Sequence, residues 1–127
     1  MDLRREEIPN GPVVTGFSGR RFRIGERVYP GGLLIDAEGA AEWDAPASAA
    51  ALDMATVERL LACACDPQPE FLLLGTGPGL VQPPRALARA LEARGIGLEA
   101  MDSRAAARAW GVLRQEGRRI VGALMPL

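Results

Sequence analysis

The sequence predicts an α/β domain built around a mostly parallel sheet, and three observations support this. Phe71-Leu72-Leu73-Leu74 is a continuous apolar run bounded by proline and glycine, which is typical of a strand buried on both faces. After this run, helix-like and strand-like segments alternate to the end of the chain. Before it, residues 13–36 contain short strand-like segments separated by glycine turns.

The first half of the chain predicts antiparallel strands. Pro9 and Pro12 make residues 1–12 an extended lead-in, because proline cannot donate to a β-ladder. Strand-like segments follow at residues 13–14, 22–24, 27–29 and 33–35. We expect them to form a small meander. Residues 37–51 are rich in alanine and acids and predict a loop with Trp43 as its anchor.

The second half predicts the order β-α-β-α-β after a first helix. An apolar stripe with helical spacing predicts that helix over residues 52–64, with Asp53 as its N-cap. The remaining elements are predicted as strands over 71–74, 96–100 and 120–125 and helices over 85–94 and 103–116. Ser103 caps the last helix in this prediction, and residues 71–74 form the central strand.

Length and composition indicate one domain spanning residues 1–127. Apolar residues make up 48% and charged residues 24%, which are ordinary values for a globular chain. The net charge of -1 comes from acids and bases spread along the sequence, so we expect no basic stripe and no nucleic-acid partner. No apolar stretch approaches the about 20 residues that span a bilayer, and the acidic opening lacks targeting features. We therefore expect a cytoplasmic protein.

The absence of two residue types restricts catalysis. Because the chain has no histidine and no lysine, it cannot supply a Ser-His-Asp triad, a Cys-His pair, a Schiff base or a P-loop. Cys63 and Cys65 lie two apart in a helical stretch, where their side chains point in different directions. We expect buried thiols, no metal and no cofactor. The missing residue types favour a non-catalytic protein, and a minor enzyme stays the alternative.

The glycine-rich loop after the strand at 71–74 is the main candidate ligand site. It contains Gly75, Thr76, Gly77, Pro78 and Gly79. In open α/β sheets, ligands bind where the carboxyl ends of strands meet backbone amides and helix N-termini. The loop lacks both the Walker A ending and the G-x-G-x-x-G spacing. A tight turn that requires positive φ is the alternative interpretation.

Further candidate residues follow the later strands. Glu99, Asp102 and Ser103 would form a polar cleft with the glycine loop if the strands are neighbours, although helix capping also explains Asp102 and Ser103. Arg118 can bind an anion, or lie solvated at a sheet edge. Two large side chains beside loops, those of Tyr29 and Trp43, are candidate partner contacts.

Several blocks of sequence resemble one known family. In chain order they are Gly16-Phe17-Ser18-Gly19, Phe22-Arg23-Ile24-Gly25, Tyr29-Pro30-Gly31-Gly32-Leu33-Leu34-Ile35, Trp43, Phe71-Leu72-Leu73-Leu74-Gly75-Thr76-Gly77, Gly95-Ile96, Glu99-Ala100-Met101-Asp102-Ser103, Ala106 and Glu116-Gly117-Arg118-Arg119. They resemble the uncharacterised bacterial and archaeal family that also contains mitochondrial respiratory complex I assembly factor three. The resemblance covers nearly everything from Val13 to Met125.

The resemblance implies a three-layer fold: a central mixed sheet, helices, and an extra β layer from the N-terminal half. The family's strand-Gly-Thr-Gly element corresponds to Leu74-Gly75-Thr76-Gly77. No enzyme activity is established across the family, and its mitochondrial members act as assembly factors. One departure is Trp110-Gly111, where many members carry an aromatic-asparagine pair. Without a targeting segment, the chain resembles the bacterial members.

Two functions remain open at this point. The first is a non-catalytic interaction protein that assists assembly of a membrane-associated, respiratory complex, with peripheral membrane association through its protein partner. The alternative is a small-ligand or anion-binding domain, or minor enzyme, that uses the loop at 75–79.

Overall fold

The computed structural model describes residues 11–63 and 68–127, which form eight strands, three α-helices and a short 3₁₀ turn at Ala49–Ala51. The strands are β1 (Gly16–Ser18), β2 (Arg21–Ile24), β3 (Arg27–Tyr29), β4 (Gly32–Ile35), β5 (Ala40–Trp43), β6 (Phe71–Gly75), β7 (Gly97–Met101) and β8 (Ile120–Leu124). The helices are α1 (Met54–Cys63), α2 (Arg85–Ala93) and α3 (Ser103–Gln115).

Five strands form a mixed sheet in the order β5-β4-β8-β6-β7. The β6 strand pairs in parallel with both β7 and β8, whereas β4 is antiparallel to β5 and β8. The predicted α/β class is confirmed, with equal numbers of parallel and antiparallel pairs. The β6 strand is interior, as expected of a continuous apolar run, but β8 is the middle strand because β4 from the N-terminal half extends the sheet.

The five-stranded sheet is the central layer of three. Side chains on a strand alternate between the two faces of a sheet, and here each face packs against a different layer. On one face, Leu72 and Leu74 pack in a core that includes residues of α1 and α2. On the other face, Leu73 packs in a second core that includes α3 and a separate antiparallel sheet in the order β1-β2-β3. Phe22 of β2 is fully buried in this second core.

Three local predictions differ from the structure. Residues 13–14 are not a strand, and β1 begins at Gly16. The predicted loop at 37–51 contains β5, which its alanines and acids did not indicate because their β propensity is low. Asp102, not Ser103, caps α3 by accepting the N–H of Ala105 at 2.9 Å.

The Cys63/Cys65 prediction lies outside the described residues. Cys65 falls in the gap between residues 63 and 68, and of Cys63 only the backbone is described.

Gly122 of β8 allows the indole ring of Trp110 to lie directly on the sheet. A Cβ atom at this position would be 2.7 Å from Cγ2 of Ile35 and 3.2 Å from Cε3 of Trp110. Trp110 is fully buried, and its Nε1–H donates to the Pro12 carbonyl oxygen at 2.9 Å. The glycine therefore sets the spacing between α3 and the sheet.

We predict that Gly122→Ala lowers the free energy of unfolding by about 1–3 kcal/mol, because the added methyl overpacks the contact with Ile35. Gly111→Ala is the matched control, since a Cβ there meets nothing within 4 Å. It should raise the free energy of unfolding by about 0.5–1 kcal/mol through helix propensity. Urea denaturation measures both changes, and equal effects of the two substitutions would contradict the packing argument.

Candidate functional site: the glycine loop and the β7 cleft

The glycine loop leaves β6 at the sheet's carboxyl edge, as predicted, and the amides of Thr76 and Gly77 are bonded within the domain. The N–H of Thr76 donates to the Met101 carbonyl oxygen at 2.8 Å, and the N–H of Gly77 donates to Oγ of Ser103 at 2.8 Å. In return, the N–H of Ser103 donates to the Gly77 carbonyl oxygen at 2.8 Å. These two loop amides therefore already have partners.

The Thr76 side chain closes the loop on itself. Its hydroxyl donates to the Gly79 carbonyl oxygen at 2.7 Å and accepts the N–H of Val81 at 3.0 Å. Thr76 is only 5% exposed, and Gly77 has a φ of 107°, which favours glycine. Pro78 is exposed but has no N–H to offer. This geometry favours the tight-turn interpretation, and a ligand role for Gly75, Thr76, Gly77 and Pro78 stays a prediction.

Ser103 connects the glycine loop to two other elements. Its Oγ accepts from Gly77 and donates to the Met125 carbonyl oxygen at 2.8 Å, while Ser103 itself begins α3. A Cβ at Gly75 would lie 2.7 Å from this Oγ, so only glycine fits there. The structure thus brings Ser103 to the loop, as predicted, in a buried position. Asp102 is adjacent but its carboxylate caps α3.

The other two candidate residues, Glu99 and Arg118, share a different site. Glu99 lies in the middle of β7, paired with Leu73, and Arg118 precedes β8. Both line an open cleft of about 330 Å³ over β6 and β7, beside the C-terminal half of α3. Its apolar lining consists of Phe71, Leu73, Met101 and Leu113.

The two charged groups of the cleft differ in their partners. Nε of Arg118 donates to Oε1 of Glu70 at 3.0 Å, and its guanidinium lies 5.5 Å from the ring centroid of Phe71. Glu99 is exposed and has no ion-pair partner within 4.0 Å among residues 11–63 and 68–127. In this cleft the charge of Arg118 is therefore neutralised by Glu70, whereas the carboxylate of Glu99 is available to a ligand.

Glu70, which precedes β6, forms hydrogen bonds that connect the start of this strand to the starts of β7 and β8. Its Oε2 accepts the N–H of Arg119 at 3.2 Å, and its carbonyl oxygen accepts the N–H of Gly97 at 3.0 Å. The hydrogen bond from the Arg119 amide, followed by the interaction with Arg118, lowers the pKa of the Glu70 carboxyl. Sequence reasoning missed Glu70, because a glutamate at the start of a strand usually marks only a solvated end.

The cleft lies beside a sheet edge, since β7 is a terminal strand with no further strand paired to it among residues 11–63 and 68–127. The Gly97 N–H and the Met101 carbonyl oxygen are bonded toward the β6 side, to Glu70 and Thr76. Because backbone groups alternate along a strand, those of Leu98 and Ala100 face away from the sheet. A row of backbone donors and acceptors thus borders the apolar cleft.

The two candidate partner contacts are buried. Tyr29 is 7% and Trp43 is 5% exposed, and each packs in one of the two cores. Tyr29 retains a contact at the surface with the Arg27 guanidinium, 5.8 Å from its ring centroid. Most of both rings is used for packing within the domain, so they offer a partner little area.

Within the described part of the chain, no group of three or more His, Cys, Asp and Glu residues is arranged to hold a metal ion. None of the helices there has the length and apolarity that a bilayer crossing requires.

Comparison with known proteins agrees with this fold and identifies the family. Residues 14–125 match the family described as protein of unknown function (DUF498/DUF598). The chain belongs to this family. An uncharacterised protein from Rhodobacter capsulatus is similar to it, with 40% identity over 114 residues, 90% of this chain and 84% of that protein.

Solved structures of similar proteins share the architecture. A protein from Bordetella parapertussis superposes with a TM-score of 0.81 at 32% identity, covering 91% of this chain and 96% of that one. A Bordetella pertussis protein, described as a Mth938-like domain, gives 0.76 at 29% identity, covering 91% and 85%. The three-layer fold implied by the resemblance is therefore confirmed.

We predict that Ser103→Ala lowers the free energy of unfolding by about 2–4 kcal/mol. The substitution leaves the Gly77 N–H and the Met125 carbonyl oxygen without their partner, and each unsatisfied buried group costs about 1–3 kcal/mol. Ser18→Ala, at an exposed position, is the control and should change stability by less than about 0.5 kcal/mol. A Ser103→Ala protein as stable as the Ser18→Ala protein would refute the proposed connection.

We also predict an acid-dependent contribution from Glu70. A folded-state pKa lowered below the unfolded value stabilises the protein above the unfolded pKa, and this contribution disappears as pH falls through the folded pKa. Glu70→Gln should therefore cost stability at neutral pH and reduce the loss of stability below about pH 4. Urea midpoints measured across this pH range test it, and parallel profiles for the two proteins would contradict it.

Proposed function

We propose that this DUF498/DUF598 protein is a non-catalytic interaction domain that assists assembly of a membrane-associated, respiratory complex. The observation that carries the proposal is the apolar cleft beside the free edge of β7. An extended segment of a partner protein can add to such an edge through its backbone and place alternate side chains in the adjoining cleft.

The side chains around the cleft suit this mode of binding. Strand residues on the cleft face include Glu99 and Met101, and Leu113 of α3 forms the opposite wall. An incoming strand would place an apolar side chain against Met101 and Leu113. Its backbone would meet the outward-facing groups of Leu98 and Ala100, so affinity and specificity come from different parts of the same segment.

Glu99 favours a partner with positive charge and also protects the β7 edge against pairing with a second copy of itself. A carboxylate in the middle of an edge strand disfavours pairing of two identical strands, because like charges oppose each other across the contact. A strand from a different protein that carries a basic side chain opposite Glu99 meets attraction instead of this repulsion. We therefore propose that the docking segment is extended and carries arginine or lysine next to an apolar residue.

The assembly role is supported by the family resemblance set out above. The family that the sequence resembles contains a mitochondrial respiratory complex I assembly factor, and an open cleft lined mostly by apolar side chains is consistent with such a role. The partner in this proposal is a subunit of the complex, and the protein reaches the membrane through it.

A small anionic or zwitterionic ligand in the same cleft is the second candidate. The volume of about 330 Å³ lies at the lower end of the range for small-molecule sites, and Glu99 and Arg118 provide both charges. The cleft is open and its arginine is already paired with Glu70, which favours a protein side chain over a small ligand.

We predict that Glu99→Arg abolishes capture of the native partner by the purified protein, because the new cation repels the partner's basic residue. Glu42→Arg is the matched control: Glu42 is likewise an exposed glutamate, on β5 at the opposite edge of the sheet. The measurement is affinity capture from the native host, quantified for wild type and both variants. A respiratory-complex subunit should be recovered with wild type and with Glu42→Arg, but not with Glu99→Arg.

Two outcomes would contradict the proposal. One is equal recovery of that subunit by both variants, and the other is unchanged levels of the complex in a deletion strain. A thermal-shift screen with anionic and zwitterionic metabolites tests the second candidate. A ligand at about 100 times its Kd adds about 2.7 kcal/mol of stability, and Leu113→Glu should remove that gain.

A further inference from the structure

The charges in the first half of this chain are segregated along the sequence, although the net charge is only -1. Between residues 15 and 35 the sequence has four arginines and one acid, Glu26. Between residues 36 and 58 it has six acids and no base. The expectation of evenly spread charge, drawn from composition, therefore does not hold for the β1-β2-β3 sheet.

The β1-β2-β3 sheet presents Arg21 and Arg23 outward because its other face is buried. Phe22 and Tyr29 pair across β2 and β3 and point into the core. Side chains alternate along a strand, so Arg21 and Arg23 point to solvent. Val28 pairs with Arg23 and shares its outward face, where it is 41% exposed.

A fifth arginine, from α3, extends this surface. The Arg104 guanidinium lies 4.8 Å from the ring centroid of Phe17, and its Nη2 is 3.5 Å from the Gly19 carbonyl oxygen. It therefore adjoins the turn between β1 and β2, next to Arg20. We define the basic surface as Arg20, Arg21, Arg23, Arg27 and Arg104. Arg21, Arg23 and Val28 share its outward face, whereas the exposed Arg27 lies on the Tyr29 side of β3, beside that ring.

The basic surface has no acidic partner in the described structure. The ion pairs found within residues 11–63 and 68–127 are Arg94 with Glu58 and Arg118 with Glu70, and neither involves this surface. All five arginines are exposed. Their charge is thus available to an external anion.

We propose that the basic surface binds directly to an anionic phospholipid bilayer. Arginines spread over a sheet face and an adjoining helix end match a broad array of lipid phosphates, which guanidinium groups bind bidentately. The exposed Val28 among them favours a bilayer over nucleic acid, because its apolar side chain can enter the headgroup boundary. This binding is separate from the partner cleft at β7 and does not depend on the function proposed for it.

The test is sedimentation of the full chain with phosphatidylcholine vesicles that contain or lack phosphatidylglycerol. We expect binding only to the anionic vesicles, and release at about 1 M salt, where the Debye length is about 3 Å. Arg20→Gln/Arg21→Gln should weaken binding about thirtyfold, at about 1 kcal/mol per arginine. Arg85→Gln/Arg89→Gln removes the same charge from exposed positions on α2, in the opposite layer, and should change binding by less than about threefold.

Several results would overturn the proposal: absence of binding to anionic vesicles, equal binding to neutral ones, or equal weakening by the two double variants. Duplex DNA that displaces the protein from vesicles and binds more tightly, with the same dependence on Arg20 and Arg21, would instead assign the surface to nucleic acid. Glu99→Arg should leave vesicle binding intact, which keeps this test independent of the partner-capture experiment. Circular dichroism confirms that each variant is folded.

Discussion

The structure of the sheet's carboxyl edge depends on the two hydrogen bonds of the buried Ser103 hydroxyl. This hydroxyl accepts from Gly77 after β6 and donates to Met125 after β8, while the serine's own backbone starts α3. Gly75 has to be glycine because this hydroxyl occupies the space of a Cβ atom. The strand-Gly-Thr-Gly element is thus explained by a structural requirement: the glycines and the threonine close a turn around one serine.

Closure of this turn changes where binding is expected. In open α/β sheets, free amides at the carboxyl edge attract anions, but here the amides of Thr76 and Gly77 are bonded within the domain. The open surfaces lie elsewhere, at the cleft beside β7 and on the basic surface of the β1-β2-β3 sheet. We propose that both bind extended partners, the cleft a protein segment and the basic surface a bilayer.

The two proposed surfaces have complementary chemistry and separate positions. The cleft combines apolar walls with the exposed carboxylate of Glu99, whereas the basic surface combines exposed arginines with Val28. A domain that holds a membrane-complex subunit at one surface and the anionic bilayer at another would bring that subunit to its site of assembly. The absence of histidine and lysine is consistent with such a binding role, since it removes several common catalytic groups.

The sequence by itself determined the element order from β6 onward, because strong local signals mark it: a continuous apolar run, glycine stops with positive φ at Gly95 and Gly117, and helical stripes. It predicted that Ser103 would approach the glycine loop only if the two strands are neighbours, and the pairing of β6 with β7 decided that condition. Only the tertiary structure decided that β8 is the middle strand, that Glu99 and Arg118 share a cleft away from the loop, and that Tyr29 and Trp43 are buried. Those facts depend on pairing between segments far apart in the chain, as with β4 and β8, and local propensity carries no information about such pairing.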